Sequence, residues 1–158
     1  MATSVEASLR LKLAFVVMGV VLVAEALAQS DAPGVMRLTP DEMTWSAQGL
    51  LAQPGMEQLA LVGDPAQPGP YTLRLKFPKG HRVAPHTHPD SREVTVLSGV
   101  FATGYGTVFD SAKLKILPAG SFYTEPANIP HFIEVKEDTV LQVSGTGPSG
   151  RTFIDRQK

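Results

Sequence analysis

The chain has 158 residues, a formal net charge of −1 at pH 7 and no cysteine. A near-neutral charge without basic clusters argues against nucleic acid as a partner. The lack of cysteine excludes disulfide bonds and thiolate metal ligands, so a metal site in this chain must use nitrogen or oxygen donors. The length suits a single domain with a sizeable core.

The N-terminal segment has the pattern of a secretory signal peptide. Two basic residues precede a nearly apolar stretch over residues 13–23, and Ala-Leu-Ala at residues 26–28 supplies the small side chains that favour cleavage. The apolar stretch is shorter than the roughly twenty residues that a membrane span needs. We therefore expect residues 1–28 to be removed, leaving a periplasmic or secreted protein that begins at Gln29 and has no stable membrane association. An uncleaved membrane anchor is the alternative.

Residues 29–58 are predicted to form an N-terminal arm with a short edge strand. Thr39 is followed three residues later by Glu42, a pattern that caps one helical turn. Glycine and proline residues soon interrupt any longer helix, at Gly49, Pro54 and Gly55.

Beyond the arm, turn residues such as glycine and proline separate short strand-like segments, as in an all-β domain. Residues 71–77 alternate apolar and polar side chains, which is typical of a half-buried strand. A turn at residues 78–80 leads into a strand that carries two histidines. Further short strands are predicted at residues 93–98, 100–104, 113–117, 121–124, 131–135 and 140–144, and around Phe153. Many short strands without a long helical period indicate a β-sandwich or a β-barrel.

Three of the four histidines have a spacing that suits a metal site. His86 and His88 are separated by one residue, so both imidazoles project from one face of an extended strand. A third imidazole, from His131 on a distant strand, would complete a set of three nitrogen donors for zinc, iron, manganese or nickel. A single histidine is more often a surface or core residue than a ligand, so the prediction depends on the three together.

The histidine strand and a second stretch resemble the two sequence motifs of the cupin family. The first family motif, G-x5-H-x-H-x3–4-E-x6-G, is matched at Gly80, His86, His88 and Gly99. The second, G-x5-P-x-G-x2-H-x3-N, is matched at Gly120, Pro126 and His131, with Asn128 in place of the middle glycine and Val135 in place of the asparagine. Asparagine can occupy a left-handed turn at modest cost.

The cupin resemblance covers about residues 59–145 and implies a single-domain jelly-roll barrel, also called a double-stranded β-helix. In such a barrel the histidines would point inward. Residues 146–158 would then supply a C-terminal strand and a tail.

The carboxylate ligand of the first motif has two candidate positions. Glu93 follows His88 at an acceptable spacing but leaves five residues before Gly99, and counting back the usual six puts Arg92 at the ligand position. Strand parity places Arg92 on the same face as Val94 and Val96, which favours an inward arginine unless a bulge shifts the register. We predict Glu93 as the fourth ligand beside His86, His88 and His131, because a carboxylate suits a metal surrounded by neutral imidazoles.

Three further residues are predicted to contact a substrate. An inward Arg92 suits a substrate carboxylate, and the alternative is an arginine on the rim paired with Asp90 in water. Tyr123 and Glu125 flank the second motif and could line the cavity mouth, although Glu125 could also be an ordinary surface acid. No nucleophile paired with a base stands out, so covalent catalysis has no support and the catalytic residues are unassigned.

The resemblance implies a small-molecule metalloenzyme of the dioxygenase, lyase, decarboxylase or isomerase type. It would act at a 3-His or 3-His-1-carboxylate centre that holds one divalent transition metal: manganese, iron, nickel or zinc. A non-catalytic cupin that binds a small ligand is the alternative. The expected partner is a small molecule, for which an inward Arg92 would favour an anion, and homodimerisation is left open.

Overall fold

The computed structural model describes residues 34–155, and its compact unit begins at Leu38. The predicted signal peptide and its cleavage point lie outside the described residues, as do residues 156–158. The described chain forms ten strands: β1 (Glu57–Val62), β2 (Gly69–Phe77), β3 (Arg82–Thr87), β4 (Arg92–Ser98), β5 (Val100–Tyr105), β6 (Lys115–Pro118), β7 (Phe122–Glu125), β8 (His131–Val135), β9 (Thr139–Gly147) and β10 (Thr152–Phe153). Two single-turn 3-10 helices span Pro40–Glu42 and Ser111–Lys113.

The strands form two antiparallel sheets of five. One sheet has the order β1-β2-β9-β4-β7, and the other has the order β10-β3-β8-β5-β6. Neighbours in each sheet are often distant along the chain, as in a jelly roll, in which strands alternate between the two sheets. The all-β jelly-roll fold predicted for a single domain is confirmed.

The core lies between the inner faces of the two sheets. Along β2 every second side chain is buried, from Tyr71 to Phe77, as the alternating sequence predicts. Burying an apolar side chain of this size stabilises the fold by about 1.5–3 kcal/mol. The opposing sheet contributes Val83, Phe101, Leu117, Ile133 and Val135 to the same cluster.

Strand β4 keeps a regular register over the residues that matter for the site. Arg92, Val94 and Val96 point into the barrel and are almost completely buried, whereas Glu93 is exposed. The register shift in β4 falls later, between Val96 and Ser98, so no bulge turns Glu93 inward. Parity alone therefore decides which side chains of β4 reach the interior.

The arm differs from its prediction in one respect. The short edge strand predicted within residues 29–58 is absent from residues 34–56, and the edge of the first sheet is formed by β1. Residues 40–42 form the predicted capped turn, in which the Thr39 N–H and hydroxyl donate to the Glu42 carboxylate at 2.7 and 2.9 Å. A single antiparallel bridge joins Ser46 to Gln58. Within residues 34–155, no helix is long and apolar enough to cross a membrane.

Candidate metal centre

The structure brings His86, His88 and His131 together inside the barrel. His86 lies near the end of β3 and pairs across the ladder with His131, the first residue of β8. The ring centroids are 4.3 Å apart for this pair, and the ring of His88 is 4.9 Å from His86 and 5.1 Å from His131. One nitrogen of each ring lies within 4.8 Å of those of the other two, and all three residues are buried.

The turn before β8 connects the two histidine-bearing segments. Asn128 stands where the family motif has glycine. Its φ of 60° shows that this position adopts the left-handed conformation, which asparagine tolerates. Its N–H donates to the carbonyl of His88 at 2.8 Å. This bond joins the turn that leads into His131 to the end of the other histidine segment.

Each imidazole is oriented by a hydrogen bond to a backbone carbonyl. The Nδ1 of His86 lies 2.8 Å from the Ala84 oxygen, and that of His131 lies 3.2 Å from the Ile129 oxygen. The Nδ1 of His88 bonds to the Gly150 oxygen. Because a carbonyl can only accept, these bonds assign the hydrogen to Nδ1 and leave the Nε2 lone pair for another partner. Metal-binding histidines are commonly oriented in this way.

His86 and His88 are held in the neutral form that metal ligation requires. Burial lowers the pKa of His86 to about 3, and the nearby His131 adds to the effect. Burial also lowers the pKa of His88 to about 4, with a further contribution from the positive charge of Arg92. At neutral pH both rings can therefore act as donors to a cation.

Glu125 is the carboxylate that lies against the histidines. It is the last residue of β7 and is 5% exposed. Its Oε1 lies 3.4 Å from Nε2 of His131, and its Oε2 lies 3.6 Å from Nε2 of His88. Burial opposes its ionisation, but His131, Arg92 and His88 together outweigh burial and lower the pKa of Glu125 to about 2. The alternative of an ordinary surface acid does not describe this residue.

Glu93, predicted as the fourth ligand, does not join the cluster. It is exposed on the outer face of β4, where it pairs with Thr124 on one side and Ser144 on the other. Successive side chains of a strand point to opposite faces, so the inward position of Arg92 requires the outward position of Glu93. The prediction of Glu93 as a ligand, which needed a bulge to turn this acid inward, is thus corrected by the strand register.

Arg92 points inward and is only 3% exposed. Its Nη1 lies 3.1 Å from Nε2 of His88, and its Nη2 donates to the Ser149 hydroxyl at 2.5 Å. Its Nε has no hydrogen-bond partner but lies 3.5 Å from Oδ2 of Asp90. The inward alternative for Arg92 therefore describes the structure, and the rim alternative is wrong because Arg92 and Asp90 are both buried.

A second buried polar cluster, formed by Tyr71, Asp90 and Ser149, contacts Arg92. The Tyr71 hydroxyl donates to Oδ2 of Asp90 at 2.5 Å, and the Ser149 hydroxyl donates to Oδ1 at 2.6 Å. Burial is the main cause that raises the pKa of Tyr71 to about 12, so this hydroxyl remains a donor. Sequence reasoning missed Tyr71 and Ser149, and the only signal for Tyr71 was its place on the inward face of β2.

A cavity of about 30 Å³ adjoins His86 and His88. That volume admits roughly one or two water-sized molecules. Tyr123 and Glu125, predicted at the cavity mouth, both line it, and the Tyr123 hydroxyl donates to Oε1 of Glu125 at 3.1 Å. The remaining lining combines polar and apolar side chains, among them Arg92, Arg151, Leu51, Met56, Phe77 and Leu141.

The donor set fits a divalent transition metal. Nε2 of His131 is buried and has no hydrogen-bond partner, although burying an unsatisfied polar atom is costly. Neutral imidazole nitrogens beside one carboxylate are donors that manganese, iron, nickel and zinc accept. The residues present can therefore hold such an ion, with His86, His88 and His131 as the ligands that converge.

Comparisons with known proteins agree with this fold. The structure resembles an RmlC-like cupin from Shewanella frigidimarina NCIMB 400, with 18% identity, a TM-score of 0.54, and coverage of 76% of this chain and 91% of that one. It also resembles the polyketide cyclase RemF from Streptomyces resistomycificus, with 14% identity, a TM-score of 0.60, and coverage of 77% and 88%. At such identities the likeness shows the fold alone.

A third similar structure is a salicylate 1,2-dioxygenase from Pseudaminobacter salicylatoxidans. The identity is 15%, the TM-score is 0.55, and the match covers 70% of this chain but only 33% of the dioxygenase. No functionally curated protein matches this chain. A family model described as the ChrR cupin-like domain matches residues 34–150, most of the chain and every strand except β10. The protein therefore belongs to the ChrR cupin-like domain family.

Proposed function

We propose that the protein binds one divalent transition metal through Nε2 of His86, His88 and His131 and uses it on a small-molecule substrate. The observation that carries the proposal is the convergence of three imidazoles whose Nδ1 atoms all bond to backbone carbonyls. A metal held there would supply Lewis-acid or redox chemistry. The reaction class is one of those that the cupin resemblance implies: dioxygenase, lyase, decarboxylase or isomerase.

The chain's own residues would select and enclose the substrate. Apolar side chains from both sheets line the cavity beside the histidines, which has room for roughly one or two water-sized molecules. Arg92 offers a guanidinium for an anionic substrate, at the expense of its present bond to His88. The cavity of about 30 Å³ is far below the roughly 300–1,000 Å³ of typical ligand pockets, so a substrate larger than dioxygen requires side chains that line the cavity to move.

Elemental analysis of the purified protein tests the proposal. We expect about one equivalent of manganese, iron, nickel or zinc per chain. Oxygen uptake by the loaded protein, with gentisate or salicylate as probes, then tests the dioxygenase class, since a similar dioxygenase was solved with gentisate. Protein that takes up no metal when offered each of the four ions would contradict the proposal.

A second candidate function is non-catalytic binding of a small ligand. It is favoured by one observation, that Arg92 hydrogen-bonds Nε2 of His88 and so occupies a nitrogen that the metal would need. Under this candidate the purified protein would be metal-free and would bind small anions at Arg92. The same elemental analysis distinguishes the two functions.

We also propose that residues 1–28 are a cleaved signal peptide and that the protein is periplasmic or secreted. The support is the sequence pattern of basic residues, apolar stretch and Ala-Leu-Ala motif. Mass spectrometry of the protein recovered from the exporting cell should show a mature N-terminus at Gln29. Retention of residues 1–28 on a membrane-bound form would count against export by cleavage.

A further inference from the structure

The position where the first cupin motif has its carboxylate holds a cation in this chain. Counted from His88 with three intervening residues, and from Gly99 with six, that position is Arg92. The structure places its side chain inside the barrel, next to the histidines. A guanidinium is not a metal ligand, so the carboxylate of this centre must come from elsewhere or be absent.

The residue directly across the ladder from Arg92 is a glutamate. Arg92 on β4 pairs with Glu125 on β7, and both side chains point inward. We infer that the metal-binding carboxylate has moved from β4 to β7, so that Glu125 completes a 3-His-1-carboxylate centre. The inference rests on the proposed metal site and names the fourth ligand of that site.

The distances agree with a shared metal. Two atoms bound to one first-row metal at about 2.1 Å stand roughly 3.0–3.5 Å apart. The two Glu125 oxygens lie 3.4 Å from Nε2 of His131 and 3.6 Å from Nε2 of His88. Small side-chain adjustments would therefore bring a Glu125 oxygen and these nitrogens into one coordination shell.

The simpler role for Glu125 is that of a counter-ion for Arg92, but its contacts are not confined to the arginine. The closest approach of the two groups, Oε2 to Nη1, is 3.7 Å, slightly longer than the approaches of 3.4 and 3.6 Å to His131 and His88. The hydrogen bonds of the guanidinium go to Nε2 of His88, the Ser149 hydroxyl and the Gly150 carbonyl. The carboxylate thus faces the imidazoles more closely than it faces the arginine.

Cobalt(II) titration of the metal-free protein tests the inference, with visible absorption to report coordination and a competing chelator to measure affinity. We expect Glu125→Gln to weaken cobalt binding by at least ~100-fold, beyond the ~10–100-fold typical of residues outside the ligand set. Glu93→Gln is the matched control, because that carboxylate is exposed, and its affinity should equal that of the wild type. Equal affinity of Glu125→Gln and wild type would overturn the inference.

A rescue variant separates a ligand from a residue that merely supports the site. Adding Arg92→Glu to Glu125→Gln returns a carboxylate to the motif position on β4, and we expect it to restore most of the lost affinity. A folded double variant that binds no better than Glu125→Gln would show that Glu125 acts by orienting its neighbours. If the double variant does not fold, as judged by circular dichroism, the comparison of Glu125→Gln with Glu93→Gln decides.

The outcomes also separate this inference from the proposed function. If the wild-type protein binds no cobalt, the proposed metal site itself is wrong. If the wild-type and Glu125→Gln proteins bind cobalt equally, the three-histidine site stands. Only the assignment of Glu125 as the fourth ligand is then wrong.

Discussion

Replacing His131 with alanine is expected to abolish stoichiometric metal binding. This imidazole is 1% exposed and its Nε2 has no hydrogen-bond partner, so no protein group competes with a metal for its lone pair. Its place opposite His86 on the ladder also makes it the link between the two sequence motifs. We expect a loss of affinity of at least ~100-fold, because a direct ligand is removed. Elemental analysis after dialysis against metal-free buffer measures the effect.

His81→Ala is the matched control for this change. His81 lies outside the cluster, where its Nε2 contacts Oε1 of Gln53 at 2.9 Å, so its loss should leave the metal content unchanged. Metal content that is the same in His131→Ala, His81→Ala and wild-type protein would show that the histidine cluster is not the binding site. Circular dichroism confirms that each variant is folded.

Replacing Asp90 with alanine is expected to lower the free energy of unfolding by about 3–5 kcal/mol, the range for breaking a buried ion pair by removing one partner. The Asp90 carboxylate accepts hydrogen bonds from Tyr71 and Ser149 and lies 3.5 Å from Nε of Arg92. Its removal leaves the buried Tyr71 hydroxyl without its acceptor and takes away a negative charge that lies beside the buried guanidinium of Arg92. Urea unfolding of the metal-free protein measures the change.

Glu57→Ala provides the comparison for Asp90→Ala. Glu57 forms an ion pair with Lys76 at 3.0 Å, but both side chains are about two-fifths exposed. Surface pairs of this kind contribute roughly 0–1 kcal/mol. Similar losses of stability in the two variants would mean that the cluster behind Arg92 contributes no more than a surface pair does.

The strands could be predicted because local pattern and burial agree. Residues 71–77 alternate in the sequence, and the same alternation is buried and exposed in β2. The strand predicted at residues 113–117 begins two residues late, at Lys115, because the Asp110 side chain accepts a hydrogen bond from the Ala112 N–H and caps a 3-10 turn. Such local capping competes with strand formation and is hard to weigh from sequence alone.

The position of Glu93 shows the limit of motif matching. The acidic side chain favoured Glu93, whereas strand parity and the spacing to Gly99 both favoured an inward Arg92. Side-chain direction on a strand follows from backbone geometry, so a residue cannot reach the interior without a bulge. The regular pairing of β4 shows that no bulge is present at Glu93.

The rest of the polar site depends on contacts between distant strands. Glu125 reaches the histidines because β7 pairs with β4, and no local pattern in the sequence indicates that pairing. Ser149 meets Asp90 across 59 positions of sequence because the chain returns over the site after β9. The three histidines could be found because their spacing matches a family motif, whereas these partners belong to no motif.

Anomalous diffraction from crystals of the cobalt-loaded protein tests the central claim most directly. We expect one peak per chain between the Nε2 atoms of His86, His88 and His131, at about 2.1 Å from each. A peak at any other place, or no peak at these histidines in protein that carries one equivalent of cobalt, would contradict the proposed metal centre.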